Sequence, residues 1–358
     1  MFVNGVFISR MSVNGMLRSA TAPVFGMMLV FCSALSSVAT AQVAPADRRP
    51  FVLPSTPQAW GGVGVCYGAM RDGQYPGGPE PTKEQIREDL HIIAKHWAIL
   101  RMYSSRGAAE LACQVIREDK LPLRLVVGAW IAQESKRGPQ GEPVDVDPQI
   151  VAVNQAEVRE AIRLANEYPD VVMAINIANE ALVFWSAHRV PVSVIVNYIR
   201  QTRAETKLPV TTFDTELFWL DPESVQVAAE CDYLGLHAYA MWNGQQISDA
   251  MHWTRDRLEA VRAKHPGLPI VLGELGWATS KGTQGDQARL ISAKPNERDQ
   301  ELFFRTLRDW AIEVRQPYFW FSAFDENWKG GPEPEEVEKH WGVYKADRTP
   351  KAVFQTGK

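Results

Sequence analysis

The chain has 358 residues, 46% of them hydrophobic and 22% charged, with a formal net charge of −4. That length is generous for one doubly wound sheet and comfortable for a barrel with insertions, so one main domain is expected. A mildly acidic balance excludes a surface built for nucleic acid or for anionic lipid.

The first 41 residues read as an export signal. Arg10 and Arg18 precede the apolar segment Ala22 to Val38, and Ala39-Thr40-Ala41 has the small-x-small form of a signal-peptidase site. Proline, glycine and several serines interrupt this run of about 17 residues, which is short for a membrane-spanning helix. Cleavage after Ala41 removes the charges of Arg10 and Arg18 and takes the net charge from −4 to −6. A periplasmic or extracellular protein with no remaining membrane partner is expected. Cys66, Cys113 and Cys231 then remain, an odd and widely spaced set in apolar runs that reads as buried thiols.

After a Pro-rich lead-in (42–59), strand-length apolar runs alternate with amphipathic helix-length segments through 60–358. Gly62 to Gly68 reads as the first strand. Pro81 to Trp97 is the first helix, with Thr82 and Gln85 at capping-box spacing and Ile86, Leu90, Ile93 and Trp97 on one stripe. The second strand is Ile99 to Ser104, the second helix Gly107 to Asp119, the third strand Leu123 to Ile131. Asp147-Pro148 opens the third helix, which runs to Tyr168. Val171 to Asn179 is the fourth strand, Ser193 to Glu205 the fourth helix, Val210 to Asp214 the fifth strand. Asp221-Pro222-Glu223 caps a short fifth helix; Tyr233 to Tyr239 and Ser248 to Lys264 form the sixth strand and helix. The seventh strand ends at Glu274, the seventh helix starts at Asn296 with Leu302, Phe303, Leu307 and Trp310 inward, and the eighth strand is Tyr318 to Phe324. This alternation predicts an α/β fold, a (β/α)8 TIM barrel. Glycines 61, 62 and 64 sit at the start of the first strand and open no helix, which argues against a dinucleotide-binding sheet.

Two strands end in a carboxylate. VVMAINIANE delivers Asn179 and Glu180, and VLGELGWA delivers Glu274. Strands four and seven lie across a barrel from one another, so both acids can address one bond from opposite sides. Retaining hydrolysis of a glycosidic bond needs such a pair, an acid and a nucleophile about 5–5.5 Å apart. Asn179 is suited to bind the sugar 2-hydroxyl. Tyr239 could donate to the nucleophile, and His237 is either a site residue or a satisfied core histidine. FDENWK adds Asp325, Glu326 and Lys329, where the lysine either steadies neighbouring acids or makes a surface ion pair.

Six tryptophans (Trp130, Trp185, Trp219, Trp242, Trp277 and Trp328) follow strand ends, where flat rings suit pyranose faces, although some of them must only pack loops. Trp97, Trp310 and Trp320 read as core. The histidine and cysteine spacing matches no metal or cofactor motif, and no Gly-x-Ser-x-Gly elbow appears.

The motifs GVCYGAMRDGQYPG (64–77), ILRMYSS (99–105), INIANEAL (175–182), VLGELGWA (271–278) and FDENWKGG with VEKHWGVY (324–344) resemble glycoside hydrolase family 17, the β-1,3-glucanases of clan A. The resemblance implies Glu180 as acid/base and Glu274 as nucleophile. It also implies Glu326, Lys329 and Glu338 as a polar network around the acid/base, and Arg71, Asp72 and Gln74 as a glycone-side element. Tyr67, Arg101, Asn179, His237, Tyr239, Trp242 and Trp277 complete the implied substrate-binding set. Ala178 stands where a glycine is common in that family, and His237-Ala-Tyr239 departs from its Pro-Tyr form. The proton affinity of Glu180 should rise while Glu274 is charged and relax once that charge is consumed. The expectation is a cofactor-free, monomeric β-1,3-glucan hydrolase or glucanosyltransferase. Its rivals are a noncatalytic glucan-binding barrel and a retaining enzyme for β-1,6-glucan, mannan or xylan.

Overall fold

A computed structural model describes residues 47–54, 64–140 and 142–355. The expected signal peptide, most of the lead-in, and Gly61 and Gly62 lie outside the described residues. Eight strands close a parallel barrel: β1 (Gly64–Cys66), β2 (Ile99–Arg101), β3 (Arg124–Ala129), β4 (Val172–Asn179), β5 (Val210–Thr215), β6 (Leu234–His237), β7 (Ile270–Leu275) and β8 (Tyr318–Trp320). Each pairs in parallel with its neighbours in sequence, and β8 closes on β1. The strands read as continuous apolar runs because one face fills the barrel and the other meets helices.

The helices are α1 (Lys83–Ile93), α2 (Ala108–Glu118), α3 (Pro148–Glu167), α4 (Val192–Glu205), α5 (Glu216–Trp219), α6 (Ser224–Ala228), α7 (Ile247–Lys264), α8 (Gly285–Leu290) and α9 (Glu297–Val314). Three of these starts follow capping chemistry. Thr82 and Gln85 form a reciprocal capping box, Asp147 caps α3 ahead of Pro148, and Asn296 accepts from Asp299 N at 2.9 Å.

Three expectations need correction. Leu302 is 52% exposed, and the inward stripe of α9 runs instead through Gln300, Phe303, Phe304, Leu307 and Ala311. Strand β8 stops at Trp320, because the residues after it leave the ladder to build the mouth. Helix α5 follows β5 directly and had no sequence signal of its own. Cys66, Cys113 and Cys231 are buried free thiols, as their setting implied.

One side chain organises the interior. Phe213 reaches across from β5 so far that a Cβ on Gly235 or Gly273 would lie 2.1 or 1.9 Å from its ring. Glycine at those two positions makes room for the ring, which becomes the floor of the site. At the opposite end the lead-in docks onto the barrel: Arg49 N donates to Asp232 Oδ1 at 2.7 Å, and Phe51 packs on Tyr233 with ring centroids 4.9 Å apart. On the catalytic face the loop 133–147 carries a small hairpin and the loop 279–295 carries α8. Gln287 Oε1 accepts from Gly282 N at 2.7 Å and Val337 N at 2.9 Å, which ties the loops after β7 and β8 together.

Candidate active site

The acids reach the mouth by different backbone routes. Glu274 lies within β7, where the pairing with both β6 and β8 shifts register but no residue is left-handed. Glu180 lies one residue past β4, where the pairing with β5 shifts register between Asn176 and Asn179 and both Ala178 (φ +66°) and Glu180 (φ +48°) are left-handed. Such a kink re-aims the strand end, turning Asn179 and Glu180 toward the barrel axis.

Glu274 is nearly enclosed. Its Oε1 accepts from Arg101 Nη1 at 2.7 Å and faces His237 Nε2 at 3.4 Å, while Oε2 accepts from the Tyr239 hydroxyl at 2.6 Å. Burial pushes the Glu274 carboxyl up, but His237, Arg101 and the Tyr239 hydroxyl together hold it below its ordinary 4.5. Arg101 is itself fully buried, its guanidinium between the rings of Phe213 (4.2 Å) and Tyr103 (4.7 Å). Its other nitrogen donates to Asn179 Oδ1, which turns the donor side of that amide away from Arg101. Asn179 O in turn accepts from His188 Nε2 at 2.8 Å, and Trp130 lies against His188 with ring centroids 4.5 Å apart. Burial pushes the His188 imidazole down, favouring the neutral donor form.

Glu180 Oε1 meets His237 Nδ1 at 2.9 Å. Next to it Asp214 is fully buried, accepting from Leu182 N at 2.9 Å and Thr215 N at 2.8 Å; burial first, then the charge of Glu180, push its carboxyl well up. The ligand atoms of Glu180, His237 and Glu274 all lie within 4.8 Å of one another. Two carboxylates and an imidazole at that spacing are a metal-like donor set. The fixed guanidinium at 2.7 Å from Glu274 already supplies the positive charge and would repel a cation.

Lys329 pairs with Glu326 Oε2 at 2.5 Å and lies over the Phe321 ring at 4.7 Å. Burial works against its charge, but Glu326, and then Glu338 and Glu274, hold the ammonium above its ordinary range. Trp328 Nε1 donates to Glu326 Oε1 at 3.1 Å. These bonds lie within the loop after β8, which reaches the site through the charge of Lys329 beside Glu274.

Several expected binding residues are placed elsewhere. Tyr67 is buried and donates to Asp89 Oδ2 at 3.0 Å, behind the mouth and against α1. Arg71 bonds Gln85 O, Asp89 and Glu88, and Gln74 bonds Arg71 N and Gln85, so their polar groups fold the loop onto α1 instead of facing a sugar. Asp72 is exposed and accepts from Asn327 Nδ2 at 2.7 Å. Trp277 is fully buried against Phe303 of α9, and Trp219, on α5, is fully buried with its Nε1 donating to Gly235 O of β6; both are core, packed between strands and helices. Trp242 is 7% exposed and is enclosed by the turn after β6. Trp130, Trp185 and Trp328 keep partial exposure. Sequence reading missed Phe213, His188 and Asp214. Asp214 carries a related signal, a β-branched run (VTTF) leading into an acid.

A closed (β/α)8 barrel with paired acids at the ends of β4 and β7 is the architecture of a glycoside-cleaving barrel enzyme. Residues 64–342 match the BtgE/BtgC glycoside hydrolase domain, and the chain belongs to that family. It is 25% identical over 316 residues to a glucan 1,3-beta-glucosidase of Arthroderma benhamiae, covering 84% of this chain and 92% of the relative. Among solved structures it is similar to an endo-laminarinase from Formosa Hel1_33_131 (25% identity, TM-score 0.68, 82% of this chain and 85% of that one). A family 17 beta-1,3-glucanosyltransferase from Rhizomucor miehei shares the fold at 21% identity and TM-score 0.62, over 81% of this chain and 95% of that one. The resemblance read from the motifs thus holds for the family and for the fold.

Proposed function

We propose that this protein is an exported retaining glycosidase acting on β-1,3-linked glucan, with Glu274 as nucleophile and Glu180 as acid/base. One observation carries the reading: carboxylate oxygens of Glu180 and Glu274 lie within 4.8 Å of each other. Retention needs that closeness, whereas inversion needs about 6.5–9.5 Å to seat a water between substrate and base. Glu274, kept anionic by Arg101 and Tyr239, attacks the anomeric carbon as Glu180 protonates the leaving oxygen. Glu180 then takes a proton from water, or from the hydroxyl of an acceptor sugar, and the ester to Glu274 is released. The Asn179 amide, oriented by Arg101, donates toward the sugar 2-hydroxyl. The names of the relatives support β-1,3-glucan as the substrate, and the Rhizomucor neighbour supports transfer to a sugar acceptor beside hydrolysis.

Chain-length analysis of purified β-1,3-gluco-oligosaccharides tests this, with Glu274→Ala as control. Products longer and shorter than the input are expected with transfer, and only shorter ones with hydrolysis. Turnover by Glu274→Ala at the wild-type rate would sink the assignment. An intact input with both proteins would move the reading to another β-linked glycan or to a binding barrel. The export reading expects a mature N-terminus at Gln42, which sequencing of the secreted chain checks.

A further inference from the structure

His237 does not fit the substrate-binding role expected for it. It is fully buried, its ring lies nearly parallel to Phe213 (25°, centroids 5.9 Å apart), and a Cβ on Gly273 would sit 3.1 Å from its Cδ2. Nδ1 is hydrogen-bonded to Glu180 at 2.9 Å, and Nε2 lies at ion-pair distance, 3.4 Å, from Glu274 outside hydrogen-bond geometry. A ring so enclosed would have to give up a carboxylate to reach a sugar hydroxyl.

We propose that His237 is a positioning residue that couples the protonation of Glu180 to the charge of Glu274. The inference rests on the retaining reading above and deepens it. A neutral imidazole has one N–H and one lone pair. With Glu274 ionised, the N–H belongs on Nε2, so Nδ1 becomes an acceptor and Glu180 must bring the proton to their 2.9 Å contact. Ionised Glu274 and protonated Glu180 therefore select one another through the ring, and that is the state from which retaining cleavage starts. The same two protons can also sit on the ring as imidazolium between two carboxylates, so the acid's proton has two stable arrangements. In the first step this proton passes to the glycosidic oxygen, a Glu274 oxygen bonds to the anomeric carbon, and the bond from that carbon to the leaving oxygen breaks. In the second step water gives a proton to Glu180, its oxygen bonds to the same carbon, and Glu274 leaves as a carboxylate. The starting arrangement is thereby restored.

The charged and titratable groups around the ring come from every neighbouring strand: Glu180 on the β4 end, Glu274 on β7, Arg101 on β2, Tyr239 beyond β6, Asp214 on β5 and Lys329 after β8. Arg101 and Lys329 act on Glu274, Asp214 acts on Glu180, and the Tyr239 hydroxyl feels both charges, while the His237 ring turns one nitrogen to each acid.

The test compares the full chain with His237→Asn and His237→Gln, after thermal unfolding shows that each variant folds. Without the second proton arrangement, the alkaline limb of the kcat/KM profile should move to lower pH by about one unit, with KM little changed. Limbs that stay in place while KM alone rises would return His237 to substrate binding and overturn the coupling. A second measurement needs neither a substrate nor a His237 variant: the imidazole ¹⁵N signals of His237 are followed through pH in wild type, Glu180→Gln and Glu274→Gln. Each carboxylate substitution should displace the His237 titration, and an unchanged titration in both would overturn the proposal. If the coupling appears by NMR while β-1,3-glucan stays uncut, the substrate reading has failed and the coupling has not.

Discussion

The two acid-bearing strand ends are built on opposite plans. At the β7 end Glu274 sits within a strand that has no left-handed residue, keeps 5% of its side chain exposed, and is met by Arg101, Tyr239 and His237. At the β4 end Glu180 is itself left-handed two residues after left-handed Ala178, keeps 13% exposed, and meets His237 at 2.9 Å. A nucleophile must be an anion fixed in one place, and enclosure by matched donors achieves that. An acid/base must exchange protons with a leaving group and then with water, and a kinked, more open end allows it.

Substitution of the acids is the largest test of this contrast. Glu274→Gln should cost on the order of 10⁴-fold or more in kcat/KM whatever the leaving group, because no other group forms the covalent bond. Glu180→Gln should cost about 10²–10⁴-fold on oligosaccharides but far less in the glycosylation step of an activated aryl glycoside, which needs no proton. Steady-state rates on both substrate types check this. Equal losses for both variants on both substrates would erase the distinction between the two ends.

Phe213 supports the enclosed end from below, under Arg101 and beside His237. Phe213→Ala should destabilise the fold by about 3–5 kcal/mol, the cost of an aromatic-sized cavity, because Gly235 and Gly273 have no side chains to close the gap. Denaturant unfolding measures it. A loss under about 1 kcal/mol would mean that the site floor is not part of the core.

Tyr239→Phe is a finer cut at the same end. The Glu274 carboxyl is held below 4.5, so the stabilisation from its contacts is complete above pH 4.5 and is lost as pH falls through the lowered value. Removing the hydroxyl takes away one of the groups that lower it. The acidic limb of the kcat/KM profile should therefore move to higher pH, with a loss of about tenfold, the value of one hydrogen bond to a charged group. An acidic limb that moves the other way would show that Tyr239 favours the protonated form.

The regular parts of this molecule were legible in its sequence. Apolar runs such as VLGEL, and capping pairs such as Thr82 with Gln85, act locally, so strands, helix starts and the two terminal glutamates could be placed from them. Legibility ended where a side chain's direction depends on distant partners. Trp277 looked like a sugar platform until its ring was found against Phe303, and Arg71 looked like a glycone contact until Asp89 was found to hold it. Phe213 gave no sign at all, since its importance comes from glycines 22 and 60 positions further along the chain. Asp214 could have been found, because it ends its strand just as Glu180 and Glu274 end theirs.

Ala178 is where the open end shows in the sequence itself, and the smallest effect is expected there. Its φ of +66° costs an L-residue about 1–2 kcal/mol, which glycine avoids. Against that relief stand roughly 0.4–1 kcal/mol for the freer unfolded chain and about 0.8 kcal/mol for the lost contacts of a buried methyl. The three terms nearly cancel, so Ala178→Gly should shift stability by less than about 0.5 kcal/mol in either direction. Thermal unfolding of the variant and the parent decides it. A loss of about 2 kcal/mol or more would mean that packing of the methyl, and not the left-handed turn, sets the residue at this position. A near-null result would mean that the strain is balanced locally, so the strand can turn its acid toward the barrel axis with alanine as well as with glycine.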